Sequence, residues 1–396
     1  MADPQPPDHQ TFPPSSPLWH IRSTPHCGRA VFASRALTPG TLILRAEDLT
    51  LNVVLREYRR EVCAWCFAYA HGRDLPIRDS GAGMWFCSRQ CLESWKEDNG
   101  GSSISNGSDN EERRDDEGGM SGKGNKNRDG LGIQAWKKVE ELVRLRTRED
   151  SEMVDMDVEG GRPDIRVVRG GWKSVEGDAE LIREAREAEG RSLERLLPST
   201  PLTKAQKRAV NKALQGPINP DILSFLLSGL LSLYQNPSRT PSHLPPFLAL
   251  ATDPTPYHSL PDLESFLRSY LHLLCTLPPP LIPLCTPTNL RSLSERDSHN
   301  SFGIRSLEDD GSEFFGYGCW PSASYFNHSC APNVSKRRVG RSWEFRGVKE
   351  GEELCISYLS GEERLLGQGE RMRRLERNWG FECGCEKCEV EVDIDE

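Results

Sequence analysis

The apolar positions of this chain fall into two regimes. Between Ile133 and Arg148 they recur at Ile133, Trp136, Val139, Leu142, Val143 and Leu145, the spacing of one helix face. Further helices are predicted over Asp178 to Leu197, Thr203 to Leu214, Pro220 to Tyr234 and Pro261 to Leu277. Thr203 supplies a cap, and Pro220 suits a first helical turn, where the missing N–H costs nothing. The Pro-rich stretches 235–261 and 278–288 read as loops. From about Asn300 the runs shorten to strand length with glycine punctuation: Phe302 to Ile304, Phe314 to Gly318, Asn333 to Ser335, Trp343 to Phe345 and Leu354 to Leu359. Near the start, Cys27 to Ala33, a Pro39-Gly40 turn and Leu42 to Leu44 read as a β-hairpin. Short strands on either side of a block of helices predict an α+β fold.

Two stretches break the pattern. Residues 1–17 are Pro-rich, and residues 98–132 hold Gly, Ser, Asn and charge with almost no apolar content, so both are predicted to be disordered. A hydrophobic fraction of 36% with 28 Pro and 34 Gly agrees with an ordered body interrupted by irregular segments. The net charge of -9 and the acidic run from Glu389 to Glu396 disfavour nucleic acid as a direct ligand; no basic recognition helix follows a cysteine clip, and the balance suits a partner with basic tails. The basic residues Lys336, Arg337, Arg338, Arg341, Arg346 and Lys349 read as a solvated strand face. No basic start followed by an apolar run opens the chain, and Ile222 to Tyr234 is too short for the roughly 20 residues of a membrane span. The expectation is a monomeric protein of nucleus or cytoplasm with no membrane contact.

In a reducing compartment, clustered cysteines point to metal. Cys63-x2-Cys66 and Cys87-x3-Cys91 form two clips that present four thiolates, the donor set of a closed tetrahedral zinc site. Cys383-x-Cys385-x2-Cys388 offers only three sulfurs, so its fourth ligand must come from elsewhere.

Three motifs occur in order: Tyr325-Phe326-Asn327-His328-Ser329-Cys330, Glu353-Leu354-Cys355-Ile356-Ser357-Tyr358, and the Cys383 cluster. Together they resemble the end of a SET domain, and Phe86 to Trp95 resembles the helical end of a MYND zinc finger with only one ligand set. The order of parts resembles the SET and MYND domain family over residues 19–97 and 296–389, with the intervening helices matching in position alone. The resemblance implies a SET-domain β-fold of short strands with an inserted zinc finger, a helical insert and a cysteine-rich post-SET zinc segment. Its expected plan is an N-terminal SET part over 18–60, a trimmed MYND-like finger over 61–97, the disordered insert, a helical insert over 133–295, the SET core over 296–360, a post-SET zinc segment over 361–389 and an acidic tail over 390–396. The helical-repeat domain of longer members is expected to be lacking.

The same resemblance implies a protein lysine methyltransferase that uses S-adenosylmethionine and carries two structural Zn2+ ions. It makes Tyr358 the catalytic residue and Tyr325 a second channel residue. Cofactor contacts fall on Cys27, Gly28, Arg29, Asn300, Asn327, His328 and Tyr358, with Trp379 and Phe381 as walls; Cys330 completes the second zinc site. The substrate would be a histone tail or another lysine-bearing basic segment. Lysine ionises near pH 10.4, so such an enzyme must desolvate and align the neutral amine. An alternative from another class is a catalytically silent, zinc-stabilised SET and MYND-like adaptor in transcription regulation.

Overall fold

The computed structural model describes residues 13–24, 28–100, 130–146, 161–195, 201–234, 244–307, 313–347 and 352–395. Cys27, most of the Pro-rich start and the body of the 98–132 insert lie outside the described residues. The described strands are β1 (Trp19–Thr24), β2 (Gly28–Ala33), β3 (Thr41–Ala46), β4 (Leu51–Val54), β5 (Ile77–Asp79), β6 (Met84–Phe86), β7 (Ser301–Arg305), β8 (Phe314–Cys319), β9 (Val334–Val339) and β10 (Ser342–Gly347). The helices are α1 (Arg89–Asp98), α2 (Leu131–Arg146), α3 (Ile165–Ser174), α4 (Glu176–Arg195), α5 (Lys204–Gln215), α6 (Pro220–Leu233), α7 (Leu244–Leu248), α8 (Leu260–Thr276), α9 (Pro287–Asn300), α10 (Gln368–Trp379) and α11 (Glu386–Asp395).

Four small antiparallel sheets result: β1-β2, β3-β10-β9, β4-β8-β7 and the hairpin β5-β6. The expected pairing of β2 with β3 is not formed. The turn between them is present, with Gly40 at φ 81 and the Thr41 N–H bonded to the Thr38 carbonyl at 3.0 Å. The free edge of β2 is instead taken by a distant segment: Leu354 N–H reaches Val31 O at 2.7 Å and Ala33 N–H reaches Glu352 O at 3.1 Å. Strand β3 therefore pairs with β10. The two three-stranded sheets enclose an aromatic core in which Phe326 stacks on Phe345 with centroids 4.7 Å apart, and Phe302 meets Trp320, Trp343 and Phe345.

The helical block rests on the sheets through α6. One stripe of this helix, Ser224, Ser228 and Ser232, bonds to Arg59, Asn52 and Thr50, and the rest is apolar and is stable only when surrounded; Leu223, Phe225, Leu226, Leu227 and Leu230 have no exposed surface. Asn219 caps it by accepting from the Asp221 and Ile222 N–H groups at 3.1 Å. A Cβ on Gly229 would lie 2.4 Å from Leu293, so glycine sets how closely α6 approaches α9. Helices α2, α4, α5, α6 and α8 lie where periodicity predicts them. Helix α9 also has a Thr286 cap and Pro287 at its start, but its thin apolar face hid it, and it runs across the expected boundary at 295/296. The buried Glu140 of α2 pairs with Arg56 at 2.5 Å and Arg144 at 2.7 Å, tying the block to the loop after β4.

Candidate active site

The first four sulfurs are gathered by a turn, a hairpin and a helix. Cys63 and Cys66 sit on a knuckle closed by Phe67 N–H to Cys63 O at 3.0 Å and Cys63 N–H to Ala68 O at 2.9 Å. Hairpin β5-β6 returns the chain to Cys87, and Ser88 caps α1 by accepting from the Cys91 N–H at 3.2 Å. All four Sγ atoms lie within 4.8 Å of one another, with Cys66 to Cys87 at 3.5 Å and Cys87 to Cys91 at 3.6 Å. Zn–S bonds of about 2.3 Å in a tetrahedron place sulfurs about 3.8 Å apart, so this donor set fits zinc.

The knuckle docks onto β9 and the turn that follows it. Arg338, expected on a solvated strand face, is instead buried and donates to Phe67 O at 3.5 Å and Arg305 O at 3.0 Å. Arg341 stacks its guanidinium 3.9 Å above Trp65 and donates to the Trp65 carbonyl at 3.0 Å. The carbonyls of this tight knuckle thus find their donors on β9 and the turn after it.

The second set joins sulfurs far apart in the chain. Cys330 Sγ lies 3.9 Å from Cys383, 53 positions on, and 3.6 Å from Cys388, 58 positions on. Cys385 completes a group whose ligand atoms lie within 4.8 Å, and it accepts the Cys330 N–H at 3.4 Å. Burial opposes ionisation of Cys385, yet the N–H groups of Cys388 and Cys330 bring its thiol down to about 6, whereas burial pushes Cys388 up to about 11. Four sulfurs gathered this closely could hold one metal ion. Arg371, with 1% of its surface exposed, sits 3.7 Å from Cys388 Sγ and pairs with Glu391 at 2.5 Å; nothing in the spacing of the sequence marks it as a neighbour of the sulfurs.

Between this centre and the sheets lies the Tyr358 cluster. The segment 353–359 is not a regular strand. It is threaded between β2 and the turn at 327–334: Ile356 N–H reaches Asn327 O at 2.9 Å, Ser329 N–H reaches Ile356 O at 2.8 Å, and Val334 N–H reaches Cys355 O at 3.0 Å. Tyr358 is held at both ends. Its N–H donates to His328 Nδ1 at 3.0 Å, and its hydroxyl donates to the Phe326 carbonyl at 3.1 Å. Burial, helped by Lys336 and Arg371, brings the His328 ring down to about 4, so it is neutral near pH 7. With Nδ1 accepting, the ring proton sits on Nε2, 3.3 Å from Cys330 Sγ.

Trp379, at the end of α10, and Phe381 close the cluster, with ring centroids 5.4 and 6.2 Å from Tyr358. Gly380 between them adopts φ 72, the left-handed helix end that lets the two rings face one centre. Asn327 spends its N–H groups on Glu353 Oε1 at 2.9 Å and Arg29 O at 3.5 Å. Asn300 spends both of its own on Ala251 O and Arg296 O at 3.0 and 2.7 Å. Tyr325 is buried in a short 3-10 turn rather than a strand, and Arg29 donates to its hydroxyl at 3.3 Å and to Ala249 O at 2.6 Å. Gly28 opens β2 with φ 68. Sequence reasoning missed Glu353, which orients Asn327, and Phe326, whose carbonyl receives the Tyr358 hydroxyl; their roles arise only when two distant segments meet.

Small antiparallel sheets threaded by their own C-terminal segment, with an Asn-His turn, a doubly anchored tyrosine and a cysteine cluster behind it, define the class of SET-type α+β proteins. A family model described as the SET domain matches residues 28–359, and the chain belongs to that family. Among curated relatives, the potential protein lysine methyltransferase SET6 of Saccharomyces cerevisiae is 25% identical over 406 residues, covering 95% of this chain and 96% of that protein. The histone-lysine N-methyltransferase ASHR2 of Arabidopsis thaliana is 29% identical over 42% of this chain and 45% of its own length. The histone-lysine N-methyltransferase SMYD3 of Mus musculus is 39% identical over 23% of this chain and 21% of its own.

Proposed function

We propose that this protein is a protein lysine N-methyltransferase that uses S-adenosylmethionine, with a histone tail or another basic segment as substrate. The observation that carries the reading is Tyr358, anchored through its N–H on His328 and its hydroxyl on the Phe326 carbonyl, inside a wall of Trp379, Phe381 and His328. In this reading residues 18–60 and 296–360 form the SET body, and the two cysteine sets hold structural zinc. Family membership and the activities named for the relatives support the reading.

The bound cofactor would supply an activated methyl group on a sulfonium. The residues present suit it. Asn327 and Asn300 use their N–H groups within the protein and keep Oδ1 as acceptors, which suits the amino groups of an adenosyl amino acid. Trp379 and Phe381 offer flat apolar faces. Tyr358, Tyr325 and their neighbours desolvate the incoming lysine, which lowers its ammonium pKa and favours the neutral nucleophile. The carbonyl of Phe326 fixes the Tyr358 hydroxyl, so the amine meets an oriented group without a reorganisation cost.

Labelled methyl transfer to recombinant histones and whole-cell extract protein tests the reading. The wild type should label a protein band, and Tyr358→Phe should lose about a hundredfold of that rate. Equal labelling by both would remove Tyr358 from the chemistry. Cofactor binding with no labelling of any protein would favour the silent adaptor instead.

A further inference from the structure

A cavity of about 280 Å³ lies where β4, the cysteine finger, α2 and α6 meet, and none of its lining residues belongs to the Tyr358 cluster or to either cysteine set. Part of the lining is aromatic and apolar, with Trp95, Trp136, Met84 and Leu231; part is polar, with Asn52 and Ser228. The decisive group is Arg59. It lines the cavity with 7% of its surface exposed, donates Nε to Val54 O at 3.2 Å and Nη2 to Ser224 Oγ, and has no carboxylate in ion-pair contact among the described residues. Its Nη1 has no protein partner among the described residues. Asp221 and Glu140 attract this guanidinium only from beyond ion-pair distance, and burial outweighs that attraction, so its lost hydration is incompletely offset and an anion in direct contact would be favourable.

We propose that this cavity is a binding site for a small aromatic carboxylate. The carboxylate would meet the Nη1 and remaining Nη2 hydrogens of Arg59 as a paired fork. Its ring would lie against Trp95, Trp136 and Met84. Ligand sites commonly span about 300–1,000 Å³, so this volume limits the occupant to one ring or a fused pair. Finger, sheet and helical block all contribute lining, so a ligand there braces the three units together and stabilises the folded chain by mass action. The proposal does not rest on methyl transfer, and its test has no methylation readout.

The full chain is titrated with benzoate, phenylacetate and indoleacetate, and in parallel with benzamide, phenylacetamide and indoleacetamide, reading tryptophan fluorescence and melting temperature. At least one acid should bind saturably and raise the melting point, and its amide should bind tenfold or more weakly. Arg59→Gln should abolish acid binding. Leu231→Trp, which fills the cavity without removing a hydrogen bond, should block it in a chain that still melts cooperatively, so the test survives if Arg59→Gln does not fold. Saturable binding by none of the acids, equal binding of acid and amide, or unchanged binding in Leu231→Trp would each overturn the proposal.

Discussion

Nδ1 of His328 accepts the backbone N–H of Tyr358 at 3.0 Å, while Nε2 of the same ring lies 3.3 Å from Cys330 Sγ. One imidazole therefore links the tyrosine to the second cysteine centre. His328→Ala leaves a half-buried backbone N–H without its partner and removes a donor from the sulfur, at a cost of about 1–3 kcal/mol. Tyr358→Phe deletes the hydroxyl and its bond to the Phe326 carbonyl, worth about 1 kcal/mol. Thermal denaturation should rank His328→Ala as the less stable of the two; the reverse order would show that the ring does not carry this linkage.

The two cysteine sets should be separable by metal analysis. Wild type should carry two zinc ions, one for each set, and Cys91→Ser and Cys388→Ser should each carry one. The consequences differ because Cys388 lies against the Tyr358 cluster, whereas Cys91 serves the finger. Labelling activity should collapse in Cys388→Ser and persist in Cys91→Ser. A full metal complement in Cys388→Ser would mean that Cys330 and the C-terminal sulfurs do not share an ion.

Gly316 in β8 holds φ 154, and a Cβ there would stand 2.0 Å from the Val53 carbonyl across the β4-β8 ladder. The neighbour is backbone, so no side chain can yield. Gly316→Ala should cost more than about 3 kcal/mol and sharply reduce soluble yield. A melting temperature within a few degrees of wild type would contradict this packing.

Asp297, in the last turn of α9, takes the Ser301 hydroxyl as its donor, and burial pushes its carboxyl up to about 7. A folded pKa above the unfolded value near 3.9 means the native state holds its proton more tightly. That contribution is complete below about pH 4 and is lost as pH rises to about 7. Asp297→Asn stays neutral, so its stability relative to wild type should grow across that window by on the order of 2–4 kcal/mol. Urea midpoints at both ends of the window measure it; a difference that does not change with pH would place the group in solvent.

Legibility in the sequence followed the range of the forces involved. Helices α2, α5, α6 and α8 were readable because an apolar stripe, joined in the last three by a cap, acts within a few residues. The Cys63 and Cys87 clips were readable for the same reason. Strand partners were not: β2 has the composition of a hairpin arm, yet the threaded 352–354 segment holds its second edge. The basic residues of β9 look like a solvated face by alternation, and Arg338 is buried because the carbonyls of Arg305, Gly340 and Phe67 receive its guanidinium.

By itself, the amino-acid order determined the local grammar of this protein: its helix starts, its cysteine clips, the Asn327-His328 turn and the tyrosine closing its motif. Only the tertiary structure decided which distant pieces share a centre, bringing Cys330 to the C-terminal sulfurs, Glu353 to Asn327, and Arg59 to a cavity wall where no carboxylate makes ion-pair contact with it. The physical reason is that capping and periodicity are settled within a turn of chain. Edge pairing, burial of charge and convergence of ligands are settled by which surfaces remain unsatisfied once all the segments compete for them.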